Sequence, residues 1–160
     1  FYRHEQLGAE QARAILTRLR QPSPVVQQVE KLVRWHLRVT SYHREWTDSA
    51  IRRLMYELGE ELEQAIALSE ADVRASDPVD WPEFEARLNE LRTRMARIGE
   101  VAEIARTRPL LNGDELMELL GIGPGPTVGE VLGFLLDEQL EGRITTSEEA
   151  VEAVRGRFAR

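Results

Sequence analysis

Asp80-Trp-Pro-Glu-Phe-Glu-Ala-Arg-Leu-Asn-Glu-Leu-Arg-Thr-Arg-Met-Ala-Arg-Ile-Gly-Glu-Val-Ala-Glu-Ile-Ala105 is the most regular stretch of the 160-residue chain. Trp81, Phe84, Leu88, Leu91, Met95, Ile98, Ala102 and Ala105 follow one another at alternating steps of three and four. That is a heptad seam, and it predicts one helix with a continuous apolar stripe. Asp80 and Glu83 have the spacing of a capping box, which places the helix start. At 1.5 Å per residue, about 25 residues reach roughly 38 Å, longer than a small globule. The helix is therefore expected to span two packed parts of the molecule. A homodimeric coiled coil through residues 81–105 is the other use of such a seam. The small alanines at its end favour packing within one chain.

The flanking sequence reads as helix almost throughout. Leu7, Ala12, Ile15, Leu16 and Leu19 predict one apolar face over about residues 4–20. Pro22-Ser-Pro24 breaks it and opens the next helix, with Ser23 as cap and Pro24 at the first helical position. Val25, Val29, Leu32, Val33 and His36 share a stripe there, and 39–46 reads as a loop. Thr47 or Asp48 caps a helix carrying Ile51, Leu54, Met55 and Leu58, stopped near Gly59. A further helix, about 60–76, carries Leu62, Ile66 and Val73. Beyond the seam come three short helices, near 113–120, 128–141 and 147–158. Thr127-Val-Gly-Glu130 and Thr146-Ser-Glu-Glu149 both have capping-box form. No β-type alternation appears. The expected fold is all-α, a helical bundle of about eight helices in two subdomains joined by one long helix. The boundary is expected within 77–82, giving parts 1–77 and 78–160.

Composition narrows the function. Hydrophobic residues make up 42% and charged residues 31%, as in an ordinary folded protein. No apolar run approaches the length of a membrane span, and no signal peptide is evident. Cysteine is absent, which excludes thiolate metal sites and disulfides and fits a cytoplasmic protein. The net charge is −7, but residues 1–56 hold ten Arg/Lys against five Asp/Glu. An acidic total argues against indiscriminate nucleic-acid binding and leaves room for one local polyanion surface.

Three clusters could carry chemistry. Arg34, Arg38, Arg44, Arg52 and Arg53 are interleaved with Trp35, Tyr42 and Trp46, a pairing of phosphate ligands with stacking rings. The segment 109–129 joins two helices through a Gly/Pro turn. Gly121 is placed as a left-handed terminator, and Gly125 allows close approach to the backbone. Asn112-Gly113-Asp114 and Thr127 each open a helix whose unpaired N–H groups favour an anion. His4, His36 and Asp72 lie on three different helices and could converge on a divalent cation. No Lys-Ser/Thr ending makes the Gly/Pro segment a P-loop. No Gly-Ser with paired aspartates and no Ser/His/Asp or Cys/His arrangement forms a complete active site.

These segments resemble a family. Phe1-Tyr-Arg-His-Glu-Gln-Leu-Gly-Ala9 is similar to the F-x-G-H-E-x-x-G-A segment of bacterial tRNA nucleotidyltransferases, the CCA-adding and poly(A)-polymerase-like enzymes with an HD-type domain. Leu32-Val-Arg-Trp-His-Leu-Arg38, Trp46-Thr-Asp-Ser-Ala-Ile-Arg-Arg53 and Leu68-Ser-Glu-Ala-Asp72 resemble further motifs in family order. So do Leu111-Asn-Gly-Asp-Glu-Leu-Met117 and Pro124-Gly-Pro-Thr-Val-Gly129. Arg3 departs from the family's usual glycine.

The resemblance implies the C-terminal half of such an enzyme, with the Mg²⁺-dependent catalytic head preceding residue 1 and no cofactor or catalytic residue in this chain. On that view 1–77 completes an HD-like domain, and 78–160 is a long helix with an RNA-binding tail. Arg34, Arg38, Arg52, Arg53, Gly113, Asp114, Gly125, Thr127 and Gly129 would hold the acceptor and T-arm of tRNA. His4, His36 and Asp72 match HD metal positions without the family's His-Asp dipeptide. The isolated segment is expected to be inactive, and whether the parent adds CCA, CC, A or poly(A) rests in the head. The alternatives are a metal-dependent HD phosphohydrolase and a structural helical dimer.

Overall fold

The computed structural model describes residues 4–76 and 80–158, with His4 described by its backbone alone. Among the described residues the fold is all-α, with nine α-helices and one 3₁₀ turn. None is long and apolar enough to cross a membrane. The helices are α1 (His4–Arg18), α2 (Ser23–Thr40), α3 (Asp48–Leu58), α4 (Leu62–Ser76), α5 (Trp81–Ile98), α6 (Val101–Ala105), α7 (Gly113–Leu120), α8 (Pro126–Leu140) and α9 (Ser147–Phe158). They form two compact units, Phe1–Ala105 and Arg106–Arg160.

In the first unit the heptad seam is spent inside the molecule. Phe84, Leu88, Leu91 and Met95 are buried together with Ile51, Leu54, Met55 and Leu58 of α3 and with Leu62 and Ile66 of α4. Full burial of each such side chain contributes about 1.5–3 kcal/mol relative to exposure. These four positions are thus unavailable to a coiled-coil partner. The helix also ends earlier than its periodicity suggests. Gly99, at φ 147°, terminates α5 after 18 residues, and α6 resumes at Val101. Positive φ is cheap only for glycine, so the heptad pattern continues while the backbone does not. The expected 25-residue connector therefore does not form, and α5 and α6 both belong to the first unit. Of the expected boundary at 77–82, residues 77–79 lie outside the described residues.

α1 packs on α2 by a different face from the one its larger residues suggest. Ala9 is fully buried, whereas Leu7, Ile15 and Leu19 are exposed. Gly8 explains the choice, since a Cβ there would stand only 3.3 Å from Val33 Cγ1. Small residues let two helix backbones approach, and here that outweighs burying leucines. On α2, Val26 is buried and Val25 is exposed.

In the second unit α7, α8 and α9 enclose Leu111, Leu116, Val131, Leu135, Ile144, Ala150 and Val154. Gln139 ties the entering strand of chain to α8, accepting from Leu110 N at 2.9 Å and donating to the Arg108 carbonyl at 3.0 Å.

The helix starts divide. Thr47 caps α3 by accepting from Ala50 N at 3.1 Å. Thr146 and Glu149 form a reciprocal cap on α9. Ser23 is instead the first residue of α2, after Pro22. Asp80 precedes α5 without a side-chain cap bond. Thr127 lies inside α8, whose cap is Gly125. In each of these three cases a proline sits in the first turn, and its fixed φ and missing N–H start the helix without a side-chain acceptor.

Candidate nucleic-acid interface

The loop between α2 and α3, residues 41–47, is built from α5. Arg94 Nη2 donates to the Trp46 carbonyl at 2.6 Å and to Asp48 Oδ1 at 2.7 Å. Its Nη1 reaches the Tyr42 hydroxyl and the Arg44 carbonyl, each at 3.4 Å. Arg97 adds a second contact to Asp48 at 3.3 Å. Asp48 consequently titrates below the ordinary carboxylate range, chiefly through the Arg94 hydrogen bond, against partial desolvation. Tyr42 is buried beneath the loop, edge-on to Trp46 with ring centres 5.7 Å apart. Arg44 extends from the loop to pair with Glu90 at 3.0 Å.

The predicted basic cluster is only partly one surface. Arg38 lies with its guanidinium 4.9 Å from the Trp46 ring centre. Its Nε is buried with no hydrogen-bond partner, and Arg38 makes no ion pair among the described residues. Arg34, one turn earlier, is engaged by Glu30 at 2.9 Å. Arg34, Trp35, Leu37, Arg38 and Ser41 form one wall of an open groove of about 520 Å³ that Glu5 and Gln6 of α1 complete. Arg52 and Arg53 stand half-buried on α3 with partners of their own, Arg53 opposite Glu57 at 3.8 Å.

The two helix starts of the Gly/Pro segment differ. Asn112 Oδ1 accepts from both Asp114 N and Glu115 N, at 2.9 and 3.0 Å, and Glu115 returns a carboxylate to Asn112 N at 2.7 Å. The N–H groups expected to be open at Asp114 are thus taken by the helix's own cap, beside two carboxylates. Gly113 packs, with a would-be Cβ 3.5 Å from Val128 Cγ1. At α8 the cap is a glycine with no side chain to satisfy the first turn. Gly125, Thr127 and Gly129 are exposed, and nothing lies within 4 Å of a Cβ at either glycine. The α8 start is therefore the more accessible of the two. Gly121, at φ 63°, closes α7 in the left-handed conformation as its position predicts.

Of the expected metal triad, two side chains, His36 and Asp72, fall among the described residues. His36 holds its Nδ1 2.6 Å from the Val33 carbonyl on its own helix. Asp72 is exposed near the end of α4, and the His4 side chain lies outside the described residues. No three His, Asp or Glu side chains among the described residues stand close enough to hold a metal ion.

Residues 3–154 match the family model for tRNA nucleotidyltransferase domain 2. The chain belongs to this family. It is 37% identical over 154 residues to the CC-adding tRNA nucleotidyltransferase of Thermus thermophilus, covering 94% of the chain and 32% of that protein. It is 33% identical over 150 residues to the A-adding tRNA nucleotidyltransferase of Deinococcus radiodurans, covering 94% of the chain and 34% of that relative. The domain thus spans about a third of the length of these curated relatives. It is also 38% identical over 106 residues to a bifunctional uridylyltransferase/uridylyl-removing enzyme of Mycobacterium tuberculosis, covering 61% of the chain and 13% of that enzyme. No solved structure matches the chain.

Two further arginines of this domain 2 chain lie against rings, outside the clusters marked in the sequence. Arg74 lies over Trp81 at 3.8 Å, and Arg87 lies 5.9 Å from the Phe84 ring centre with its Nε buried and without a partner among the described residues. The Phe84/Arg87 spacing of three is readable from a helical wheel. The Arg74/Trp81 pair joins two helices and is not.

Proposed function

We propose that this chain is the tRNA-binding, acceptor-end-positioning region of a nucleotidyltransferase that adds CCA, or part of it, to tRNA 3′ ends. The carrying observation is that relatives named for CC addition and for A addition each match it over 94% of its length. A region shared by enzymes that differ in the nucleotide they add serves what they have in common, which is the tRNA. Choice of CTP or ATP, and the Mg²⁺ chemistry of transfer, then fall to other parts of the parent protein. Paired RNA is held through phosphates and 2′-hydroxyls, contacts that arginines and open helix N–H groups make without reading sequence. Arg34, Arg38, Arg52 and Arg53 in the first unit, and Gly125, Thr127 and Gly129 in the second, are the assigned contacts. Asp114 and Gly113 are the weakest members, because the Asn112 cap already uses that helix start.

The test is titration of the chain with a tRNA transcript ending before CCA, at several salt concentrations. The reading requires saturable binding that weakens with salt and is diminished in Arg52→Ala/Arg53→Ala. Unchanged affinity in that variant removes the α3 surface from the assignment, and no binding at any salt rejects the reading.

A hydrolytic reading, a metal-dependent HD-type phosphohydrolase using His4, His36 and Asp72, is favoured by the 106-residue likeness to an enzyme named as uridylyl-removing. It requires the full-length parent to bind Mn²⁺ stoichiometrically and to release phosphate from phosphoesters. Metal analysis that finds none decides against it.

A further inference from the structure

We infer that a line of guanidinium groups and aromatic rings running across the first unit from Arg38 to Arg74 is a track for an unpaired RNA strand. The inference rests on the reading of the chain as tRNA-binding and extends it from Arg38, one of the assigned contacts, to Arg87 and Arg74, which are not among them. The line runs through ring contacts and one shared groove. Arg38 stacks on Trp46 at 4.9 Å, and Trp46 meets the His43 ring edge-on at 6.2 Å. His43 and Arg44 line an open groove of about 760 Å³ together with Ala86 and Arg87 of α5. Phe84, itself buried in the core, lies 5.9 Å from the Arg87 guanidinium and 5.9 Å from the Trp81 ring. It supports these two from below and is not open to a base, and Trp81 carries Arg74 at 3.8 Å.

Two features separate this line from the rest of the unit's charge. Many other basic side chains of the unit meet carboxylates, as in Lys31–Glu61, Arg92–Glu70 and Arg94–Asp48. Arg38, Arg74 and Arg87 instead lie over rings and make no ion pair among the described residues. The two arginine Nε atoms that are buried without a partner among the described residues belong to Arg38 and Arg87. A guanidinium held over a ring by its carbon can still offer its terminal N–H groups to phosphate, and guanidinium planes stack on unpaired bases.

The groove also contains Glu45 and Glu83, so its net charge is small. Charge alone would therefore hold an acidic peptide poorly, and stacking has to supply the affinity. Bases of an unpaired strand stack on rings and guanidinium planes, whereas bases inside a duplex do not reach them.

The test uses the whole chain and two probes, a short oligoadenylate and a blunt RNA duplex of equal charge. Oligoadenylate is expected to quench tryptophan fluorescence saturably and to bind more tightly than the duplex. Arg74→Ala and Arg87→Ala should each weaken oligoadenylate binding about fivefold or more, with wild-type melting temperatures. Trp81→Phe, which keeps the apolar packing, should remove part of the quenching and serves if either arginine variant is destabilised. Unchanged oligoadenylate affinity in folded variants overturns the track, as does equal displacement by polyglutamate. Both results leave tRNA binding through the other contacts intact. Loss of all tRNA binding by the wild-type chain would instead reject the parent reading.

Discussion

Arg94 and Asp48, 46 positions apart in sequence, meet at 2.7 Å, and the same Arg94 nitrogen holds the Trp46 carbonyl at 2.6 Å. One planar side chain on α5 therefore fixes both the start of α3 and the loop that presents Trp46 to Arg38. A guanidinium can serve these acceptors together because its donors diverge in a rigid fork, whereas an ammonium offers a single point. Arg94→Lys should lower Tm by several degrees, nearly as much as Arg94→Ala. Both should also red-shift or dim the Trp46 contribution to fluorescence. Thermal melts that place Arg94→Lys at wild type would show that charge alone is sufficient.

The same pair gives a pH dependence with a definite sign. The folded carboxyl of Asp48 titrates below its ordinary value of 3.8, first because of the Arg94 hydrogen bond. A lowered folded value means that the stabilisation is complete above the unfolded value and is lost as pH falls through the folded one. Asp48→Asn should therefore be less stable than wild type near about pH 7, and the gap should close towards about pH 3. Melts at both ends of that range read it. A gap that widens on acidification would contradict the assignment.

The second unit offers an independent test of local chemistry. Asn112 satisfies two first-turn N–H groups of α7 and is itself exposed, so removing it alters little else. Asn112→Ala should cost about 1 kcal/mol of stability. Leu116, fully buried in the same helix, should cost about 2–5 kcal/mol as Leu116→Ala. Denaturant titration distinguishes the two, and a cap variant as damaging as the core variant would mean that Asn112 does more than cap.

Much of this fold is legible in the chain because the determinants are local. Ile51, Leu54, Met55 and Leu58 repeat at helical spacing, and all four are buried. Gly121 follows an apolar run and takes the left-handed conformation that such a position invites. The misreadings fall where a distant neighbour or a single torsion decides. Gly99 sits inside an unbroken heptad, and only its φ reveals the end of α5. Leu7, Ile15 and Leu19 are the larger apolar residues of α1, yet close approach at Gly8 to Val33 turns Ala9 inward instead. The site follows the same division. Arg38 beside Trp46 is within reach of sequence reasoning, since both lie in one basic, aromatic segment. Arg94 and Arg74 act on partners supplied by other helices, and no spacing rule joins them. Asn112 marks a helix start correctly, but its own side chain consumes the N–H groups that would make the start an anion site.

The glycines of α8 separate stability from binding. Gly129 and Gly133 occupy the interior of a helix, are exposed, and have nothing within 4 Å of a would-be Cβ. Neither has a positive φ, so an alanine fits both without strain. Alanine is favoured over glycine in a helix, and each substitution should raise stability by about 0.5–1 kcal/mol. Packing within the unit thus gives no reason for glycine at either place. If the α8 start receives the tRNA backbone, Gly129 lies in its first turns, where a methyl group would hold a phosphate away from the open N–H groups. Gly133 stands a further turn along the helix. Gly129→Ala should then bind tRNA several-fold more weakly while melting higher, and Gly133→Ala should melt higher with affinity unchanged. Parallel melts and tRNA titrations on the two variants decide it. Equal affinity in both would place the tRNA contact elsewhere than the start of α8.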